Sequence, residues 1–249
     1  MASLPIPAAI SMEGKRTIVT GAASGIGRAT AMVLAELGAD LLLTDRAAMN
    51  EVRDEVQARG ATCTVVQGDL TADGFIADLL GRGRVHAIAH CAGILERTPW
   101  DEDPNWNQRF HRMMDVNVRL PLEIAGLAIE HMGEHGGGNV VLVGSVAGKT
   151  GGTSLTTPPD YSASKGAVHA IVKWMSRRGI TRGVLINAVA PGPVQTAMTA
   201  GNNMGPQLPL GRIGRADELA WPIAFLCTAA ASYMSGAILD VNGGAFVGP

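Results

Sequence analysis

Residues Thr20-Gly21-Ala22-Ala23-Ser24-Gly25-Ile26-Gly27-Arg28-Ala29 follow a short β-branched run and open a helical pattern. Their glycines have the spacing G-x-x-x-G-x-G. This spacing permits a tight strand-to-helix turn and the close approach of a pyrophosphate, which the free N–H groups and dipole of the following helix attract. An ordinary glycine turn is the alternative interpretation, and the rest of the chain has to decide between the two.

The segments on both sides of this turn predict an α/β fold. Short apolar runs alternate with helical stretches, and the runs are continuously apolar, which is typical of a parallel sheet covered on both faces. The sequence therefore predicts a doubly wound, Rossmann-type parallel sheet of seven strands with helices on both faces. The predicted strands are Thr17–Thr20, Leu41–Thr44, Cys63–Val66, Val85–Ala89, Val140–Val143, Leu185–Ala188 and Ile238–Val241. The predicted helices include Gly27–Leu37, Ala47–Arg59, Trp106–His131, Tyr161–Arg177 and Asp217–Ala230.

Length and composition bound the class of protein. The 249 residues predict one domain over 15–249, after an N-terminal extension over 1–14. A net charge of −2 gives no electrostatic footprint for nucleic acid or an anionic membrane. Three widely spaced cysteines and an N-terminus without basic residues favour a reducing, cytoplasmic location. The uncharged stretch Leu219–Leu239 is long enough for a membrane span, but Pro222 and Gly236 interrupt it, so we expect a buried helix followed by a strand.

A carboxylate after the second strand is a further cofactor signal. Asp45 stands 18 residues after Gly27, where it can accept the adenine-ribose hydroxyls of NAD and repel a 2′-phosphate. Arg46 can offset part of that repulsion, so NAD is favoured and NADP stays open. Asp69, after the third strand, is a candidate contact to the adenine amine. Its alternative role is a turn or N-cap aspartate before Thr71.

Tyr161 and Lys165 form a Y-x-x-x-K pair on a predicted helix. Positions i and i+4 share one helix face, so the phenol and the ammonium can stand side by side. A free phenol has a pKa of about 10, and lowering it to near 7 requires roughly 4 kcal/mol of anion stabilisation. The Lys165 ammonium and the charge of an oxidised nicotinamide can supply it, so that Tyr161 exchanges a hydroxyl proton. The alternative is a surface pair.

Taken together, these motifs resemble the short-chain dehydrogenase/reductase family, in the roughly 250-residue branch that includes 3-oxoacyl-carrier-protein reductases and many alcohol dehydrogenases. The similarity extends from Lys15 to Gly244. It also includes Asn117 in Asp115-Val116-Asn117-Val118, Ser145 after Val143-Gly144, Pro191-Gly192 with Val194 and Thr196, Pro209-Leu210-Gly211-Arg212 and the closing Asp240-Val241-Asn242-Gly243-Gly244.

The resemblance implies the role of each site residue. Ser145 orients and polarises the substrate oxygen, Tyr161 is the acid/base, and Lys165 holds the nicotinamide ribose and lowers the pKa of Tyr161. Asn117 positions a water that relays the proton from Lys165. The family is usually tetrameric. The implied cofactor contacts are Gly21, Ser24, Gly25, Ile26, Gly27, Asp45, Arg46, Asp69, Leu70, His90, Ala92, Gly93, Tyr161, Lys165, Pro191, Gly192, Val194 and Thr196.

Two departures from the family pattern concern the cofactor and the substrate. His90-Cys91-Ala92-Gly93 replaces the usual Asn-Asn-Ala-Gly after the fourth strand, which removes the asparagine side-chain bonds. The segment between Ser145 and Tyr161 is longer than the family pattern, and its hydroxyl-rich insert over 151–159 is where we expect substrate specificity to be determined.

Two other motifs are rejected. Gly144–Thr150 resembles a phosphate-binding P-loop, but it is one residue short and glycines follow where a helix should begin. His131-Met132-Gly133-Glu134-His135 matches a zinc-protease signature, but its glycines indicate the end of a helix, where histidines suit the dipole. We therefore expect no metal site.

The substrate side carries little charge. Residues 184–211 contain no charged side chain, and the resemblance places a substrate loop over about 194–211. Met198, Asn202, Asn203, Met204 and Leu208 suit a neutral, mostly apolar alcohol or ketone, although packing against neighbours would also explain the missing charge. The sequence predicts an NAD-dependent secondary-alcohol oxidoreductase. The alternatives are an NADP-dependent 3-oxoacyl-type ketoreductase and a non-catalytic NAD(H)-binding sensor or scaffold.

Overall fold

The computed structural model describes residues 7–152, 157–199 and 205–248, and a sheet of seven strands lies at its centre. Every neighbouring pair of strands is parallel, in the order β3-β2-β1-β4-β5-β6-β7. This confirms the predicted fold class. The strands are β1 (Arg16–Thr20), β2 (Asp40–Asp45), β3 (Cys63–Gln67), β4 (Ala87–His90), β5 (Gly138–Val143), β6 (Val184–Pro191) and β7 (Ile238–Val241).

Eight helices connect the strands within the described residues. They are α1 (Gly25–Glu36), α2 (Asn50–Ala58), α3 (Phe75–Gly81), α4 (Trp106–Met114), α5 (Leu120–Glu134), the single turn α6 (Ala147–Thr150), α7 (Pro159–Ile180) and α8 (Ala216–Cys227). A π-helical segment, Asp115–Arg119, joins α4 to α5, and 3₁₀ turns cover Ala197–Thr199, Gly205–Gln207 and Ala229–Ala231.

Two apolar cores lie on opposite faces of the sheet. Successive strand residues point to opposite faces, so Val19 packs with α1, α2 and α8 while Ile18 packs with α3, α5 and α7. Val141 and Val140 divide in the same way on β5. This double burial explains why the strands are apolar throughout instead of alternating with polar residues.

Three local differences separate the prediction from the structure. Helix α3 was not predicted because its seven residues are too few to display a helical period. The short turn α6 was also missed. The helix expected over Trp106–His131 exists, but its middle five residues adopt π geometry. The uncharged stretch from Leu219 forms the rest of α8, a 3₁₀ turn and β7, as expected.

Within the same described ranges, no helix is both long and apolar enough to cross a lipid bilayer.

The strand order indicates where the functional site lies. Strand β1 pairs with β2 on one side and with β4 on the other, so the chain reverses its direction of winding between them. In doubly wound sheets, a crevice for a ligand opens at this point, at the carboxyl ends of the strands.

Candidate active site

The glycine turn after β1 has no space for side chains. Gly21 has φ +66°, and a Cβ there would lie 2.8 Å from the backbone N of Ala92. A Cβ on Gly27 would lie 2.1 Å from the carbonyl oxygen of Gly21. Only glycine permits this packing, which brings the first turn of α1 directly against the strand ends. The free N–H groups of that turn therefore face the crevice.

A cleft of about 700 Å³ extends from this turn across the ends of β1, β2 and β4. The cleft fits a dinucleotide, since it joins a helix N-terminus free of side chains to an acidic residue after β2 and a hydrophobic wall. It contains most of the predicted cofactor contacts: Gly21, Ser24, Gly25, Ile26, Gly27, Asp45, Arg46, Asp69, Leu70, Ala92, Gly93 and Thr196.

Asp45 is held at the end of β2 by two backbone donors. Its Oδ2 accepts a hydrogen bond from the N–H of Ala23 at 3.0 Å, and its Oδ1 accepts one from Ala47 at 3.0 Å. These bonds fix the carboxylate against the glycine turn, where it lines the cleft. Each oxygen keeps a further lone pair, so the carboxylate can still accept hydroxyl protons from a ligand.

Asp69 forms the turn that was the alternative to a cofactor contact. Its Oδ1 accepts hydrogen bonds from the N–H and the hydroxyl of Thr71 at 2.9 and 2.7 Å. These bonds lower the pKa of Asp69, and Arg46, with Nη1 at 3.8 Å from Oδ2, lowers it further. Asp69 also lines the cleft, so the turn and an open carboxylate edge occur together.

His90 is a predicted cofactor contact whose ring lies outside the lining of the cleft. Its ring is buried under the strand ends and shares a 2.8 Å hydrogen bond between Nδ1 and the hydroxyl of Thr20. His90 lines neither the cleft nor the neighbouring cavity. Burial, with a smaller contribution from Lys165, lowers the pKa of His90 to about 3, so the ring is neutral. Cys91, the other departure from the family pattern, lines both spaces instead.

Ser145 and Tyr161 meet beside the cleft. Ser145 follows β5, and its Oγ accepts a hydrogen bond from the N–H of Ala147 at 3.1 Å, which fixes the hydroxyl. A hydrogen bond joins it to the phenol of Tyr161 on α7. Burial raises the pKa of Tyr161 above its ordinary value, while the bond from Ser145 and the nearby charge of Arg97 lower it in part.

Lys165 lies one helical turn beyond Tyr161 and is buried. Its Nζ donates a hydrogen bond to the carbonyl oxygen of Val143 at 2.9 Å and lies 5.8 Å from the centre of the Tyr161 ring. Burial lowers the pKa of Lys165 to about 8. Burial also raises the pKa of Tyr161 in the protein alone, so the lowering that the resemblance attributes to Lys165 stays a prediction.

Asn117 lies within the π-helical segment, with its side chain buried. The amide holds the backbone of Ile94 from both sides: Oδ1 accepts from its N–H and Nδ2 donates to its carbonyl oxygen, both at 2.9 Å. Nδ2 also donates to the hydroxyl of Ser164 at 3.2 Å. Asn117 thus connects the segment after β4 to α7. A Cβ on Gly93 would touch both Asn117 and Lys165, at 3.3 and 3.4 Å.

A cavity of about 150 Å³ adjoins the cleft at Gly93 and Ile94. It contains six more of the predicted site residues: Ser145, Tyr161, Lys165, Pro191, Gly192 and Val194. Two hydroxyls therefore converge on a small space beside a dinucleotide-sized cleft, an arrangement that can hold an alcohol or carbonyl oxygen and exchange a proton with it. Residues 153–156 of the predicted specificity insert, and Asn202, Asn203 and Met204 of the predicted substrate loop, lie outside the described residues.

Two arginines near the site were missed at the sequence level. Arg97 lines the cavity from the segment between β4 and α4. Arg109 on α4 is buried, with its Nε 3.2 Å from Oδ2 of Asp103 and its Nη2 4.0 Å from Oδ2 of Asp160. The position of Arg97, in a loop after the carboxyl end of a strand, was the signal available in the sequence.

The two rejected motifs have structural roles in the fold. Lys149 forms an ion pair with Asp240 at 2.6 Å and lies over the ring of Phe246. His131 and His135 stack with ring centroids 4.6 Å apart. No group of three His, Cys, Asp or Glu side chains suited to a metal ion occurs among the residues that the structure places.

Comparison with known proteins gives matches over almost the whole chain. A family profile described as enoyl-(acyl carrier protein) reductase matches residues 21–245. The chain is 34% identical to cis-4-hydroxycyclohexanecarboxylate dehydrogenase of Sinomonas cyclohexanicum, over 91% of this chain and 94% of that protein.

Solved structures match equally well. A short-chain type dehydrogenase/reductase from Mycobacterium marinum superposes with a TM-score of 0.89 at 28% identity, covering 96% of this chain and 98% of the other. A 3-oxoacyl (acyl-carrier-protein) reductase from Agrobacterium tumefaciens C58, with NADP bound, gives a TM-score of 0.85 at 26% identity, covering 95% and 96%.

Proposed function

The chain belongs to the short-chain dehydrogenase/reductase family, and from that premise we propose that it is an NAD-dependent enzyme that interconverts a small secondary alcohol and its ketone. The observation that carries the proposal is the meeting of Ser145 and Tyr161 in the wall of a small cavity that opens into a dinucleotide-sized cleft. The cofactor, when bound, takes up or supplies the hydride. The remaining chemistry falls to side chains of the chain.

The proton is exchanged at Tyr161 Oη in this proposal. Ser145 donates to, or accepts from, the substrate oxygen and keeps it beside the phenol. In alcohol oxidation the phenolate removes the hydroxyl proton, and in ketone reduction the phenol returns it. Burial of the phenol raises its pKa, so an added positive charge is needed to bring that pKa toward neutrality. Lys165, already buried beside the ring, is placed to bind the ribose and add part of that charge.

Asp45 supports NAD as the preferred cofactor. Its carboxylate is fixed at the edge of the cleft by two backbone N–H groups, and a 2′-phosphate there would face a like charge. Arg46 supports the second candidate, an NADP-dependent 3-oxoacyl-type ketoreductase, because its side chain is 62% exposed beside the same cleft and its partner Asp69 lies 3.8 Å away. The reductase structure with NADP bound makes that candidate worth testing.

The apolar surface and the cysteines support two further expectations. Trp174, Trp221 and Phe225 expose large apolar side chains on α7 and α8, which supports the homo-oligomer, a tetramer, that the family resemblance implies. Sedimentation of the purified chain measures this oligomeric state.

Cys63, Cys91 and Cys227 are free thiols, in keeping with the proposed reducing, cytoplasmic location.

The chain's two tyrosines provide a matched test. Tyr161→Phe removes the exchanging proton, and we expect kcat/KM for alcohol oxidation to fall about 10²- to 10⁴-fold. NADH binding, measured by calorimetry, should be retained because the aromatic ring remains. Tyr233→Phe is the control, since Tyr233 is fully exposed. Full activity in Tyr161→Phe would overturn the proposal. Tight NADH binding without turnover of any alcohol would favour a sensor or scaffold.

A further inference from the structure

The cavity beside Tyr161 combines apolar walls and hydroxyl groups with one exposed cation, Arg97. Ile94, Leu95, Val194 and Ile213 contribute apolar walls. Apart from the buried Lys165, the charged side chain among the described lining residues is Arg97. The charge-free stretch 184–211 forms only one side of this space. The prediction of a neutral substrate follows from that stretch alone, whereas Arg97 enters the cavity from the segment after β4 and reaches the carbonyl oxygen of Met198.

Arg97 has no acidic partner within the part of the chain that the structure describes. Its polar contact is a long one, from Nη2 to the carbonyl oxygen of Met198 at 3.5 Å. The two neighbouring arginines differ, because Arg112 pairs with Glu96 and Arg109 with Asp103. Residues 153–156 and 200–204, which adjoin the cavity in sequence, contain no Asp or Glu. Among the residues that the structure describes, the charge of Arg97 is therefore unneutralised.

We propose that Arg97 binds a carboxylate of the substrate, so that the enzyme acts on a small hydroxy acid and the corresponding keto acid. A guanidinium presents paired N–H donors that match the two oxygens of a carboxylate. The inference rests on the proposed function for the reacting end of the substrate, since Ser145 and Tyr161 would hold the alcohol while Arg97 holds the acid.

The dimensions and field of the cavity agree with this substrate class. A volume of about 150 Å³ is comparable to engineered cavities that hold one benzene ring, so a single carbocycle or a short chain fills the space. Arg97 also acts on the phenol, because its charge lowers the pKa of Tyr161 in part. Arg97 and Tyr161 line the same cavity, so one small molecule can reach both.

Binding of a matched pair of ligands tests Arg97 without catalysis. Cyclohexanecarboxylate and cyclohexanecarboxamide are titrated by calorimetry into the protein saturated with NADH. We expect the acid to bind about tenfold more tightly than the amide. The difference comes from a charge-assisted hydrogen bond to Arg97, which solvent and salt weaken because the side chain is exposed. Arg97→Gln should remove that difference, and Arg97→Lys should retain part of it because the charge stays. Equal binding of acid and amide by the wild type would overturn the inference.

The control replaces an arginine at the opposite end of the sheet. Arg82 follows α3, before β4 begins, and pairs with Asp78 at the surface. Arg82→Gln should leave the ratio of acid to amide affinity unchanged. A loss of the ratio in this variant equal to that in Arg97→Gln would also overturn the assignment, since the effect would then come from net charge alone.

Turnover of a second pair separates this inference from the proposed function. With NAD, 4-hydroxycyclohexanecarboxylate should give a kcat/KM about tenfold above that of its carboxamide, and Arg97→Gln should cancel the advantage mainly through KM. Oxidation of both compounds at equal rates would overturn the inference and leave the proposed function standing. Acid binding that depends on Arg97, combined with full activity in Tyr161→Phe, would overturn the proposed function and leave the inference about Arg97 standing.

Discussion

Arg109 lies 4.0 Å from Asp160, the residue that immediately precedes Tyr161. Both side chains are almost fully buried, at 4% and 2% exposure, and the second carboxylate, Asp103, lies 3.2 Å from the same guanidinium. Asp160 in turn accepts a hydrogen bond from the N–H of Tyr161. One buried cation thus connects α4 and the segment before it to the first turn of the helix that carries the phenol.

Removal of that cation should destabilise the fold. Arg109→Leu leaves the buried carboxylate of Asp160 and the half-buried one of Asp103 without this counter-charge, and we expect a loss of about 3–5 kcal/mol in the free energy of unfolding, measured with urea. Arg119→Leu is the exposed control, with two carboxylate partners one turn away on either side, and should cost less than about 1 kcal/mol. The addition of Asp160→Asn to Arg109→Leu should restore part of the loss. Equal stability of the two single variants would contradict the buried role.

Ser145 should determine the pH at which oxidation becomes fast. Its hydrogen bond lowers the pKa of Tyr161 against the effect of burial. Since alcohol oxidation needs the phenolate, Ser145→Ala should move the rise of kcat/KM toward higher pH, besides lowering its plateau. Ser176→Ala on the far part of α7 should keep the wild-type profile, because that hydroxyl donates to the carbonyl oxygen of Lys173, away from Tyr161. A profile in Ser145→Ala that shifts to lower pH would contradict the geometry.

Asp45 should determine the choice between the two nicotinamide cofactors. Asp45→Asn removes the charge but keeps an oxygen for one of the two backbone donors at this position. We expect the ratio of kcat/KM for NAD to that for NADP to fall about tenfold, since a like charge beside the 2′-phosphate is lost. Asp54→Asn, at an exposed position on α2, should leave the ratio unchanged. A wild type that prefers NADP would assign the cleft to the second candidate function.

His90 should make the folded state sensitive to acid. The folded chain keeps His90 neutral down to a pKa of about 3, whereas an unfolded histidine binds a proton below about pH 6.5. Between these values the unfolded state binds more protons, so stability falls as the pH falls. The contribution is about 1.4 kcal/mol per pH unit, and His90→Asn should remove it from a plot of unfolding free energy between pH 6.5 and 5. An unchanged slope would mean that the ring titrates while folded.

Much of the fold was predictable because its signals are local and repeated. The glycine turn, the acidic residue after β2 and the Y-x-x-x-K pair each lie within one short segment, and the structure places all three around one crevice. Helix α3 and the π geometry at Asp115–Arg119 carry no such signal, since seven residues show no period and a π turn has no distinctive composition.

The unpredicted parts of the site depend on distant pairs. Arg97 becomes notable only when folding brings it to the cavity without a carboxylate beside it. The family resemblance implies a cofactor contact at His90, whereas strand register directs its ring toward Thr20. The pKa of Tyr161 is likewise raised because burial outweighs the effects of Ser145 and Arg97. The spacing of residues in the sequence does not reveal how deeply the phenol is buried.

Because of the π-helical segment, the number of residues between α4 and α5 determines where the Asn117 side chain points. A π turn behaves as one residue inserted into an α-helix, and it weakens the local hydrogen bonds that the helix would otherwise form. Removal of a residue from 115–119 would let the helix regain α geometry and become more regular. The same deletion would turn Asn117 away from Ile94 by about 100°, the rotation of one helical residue. Length is therefore constrained here as strictly as residue type, and a deletion that improves the helix would dismantle the site.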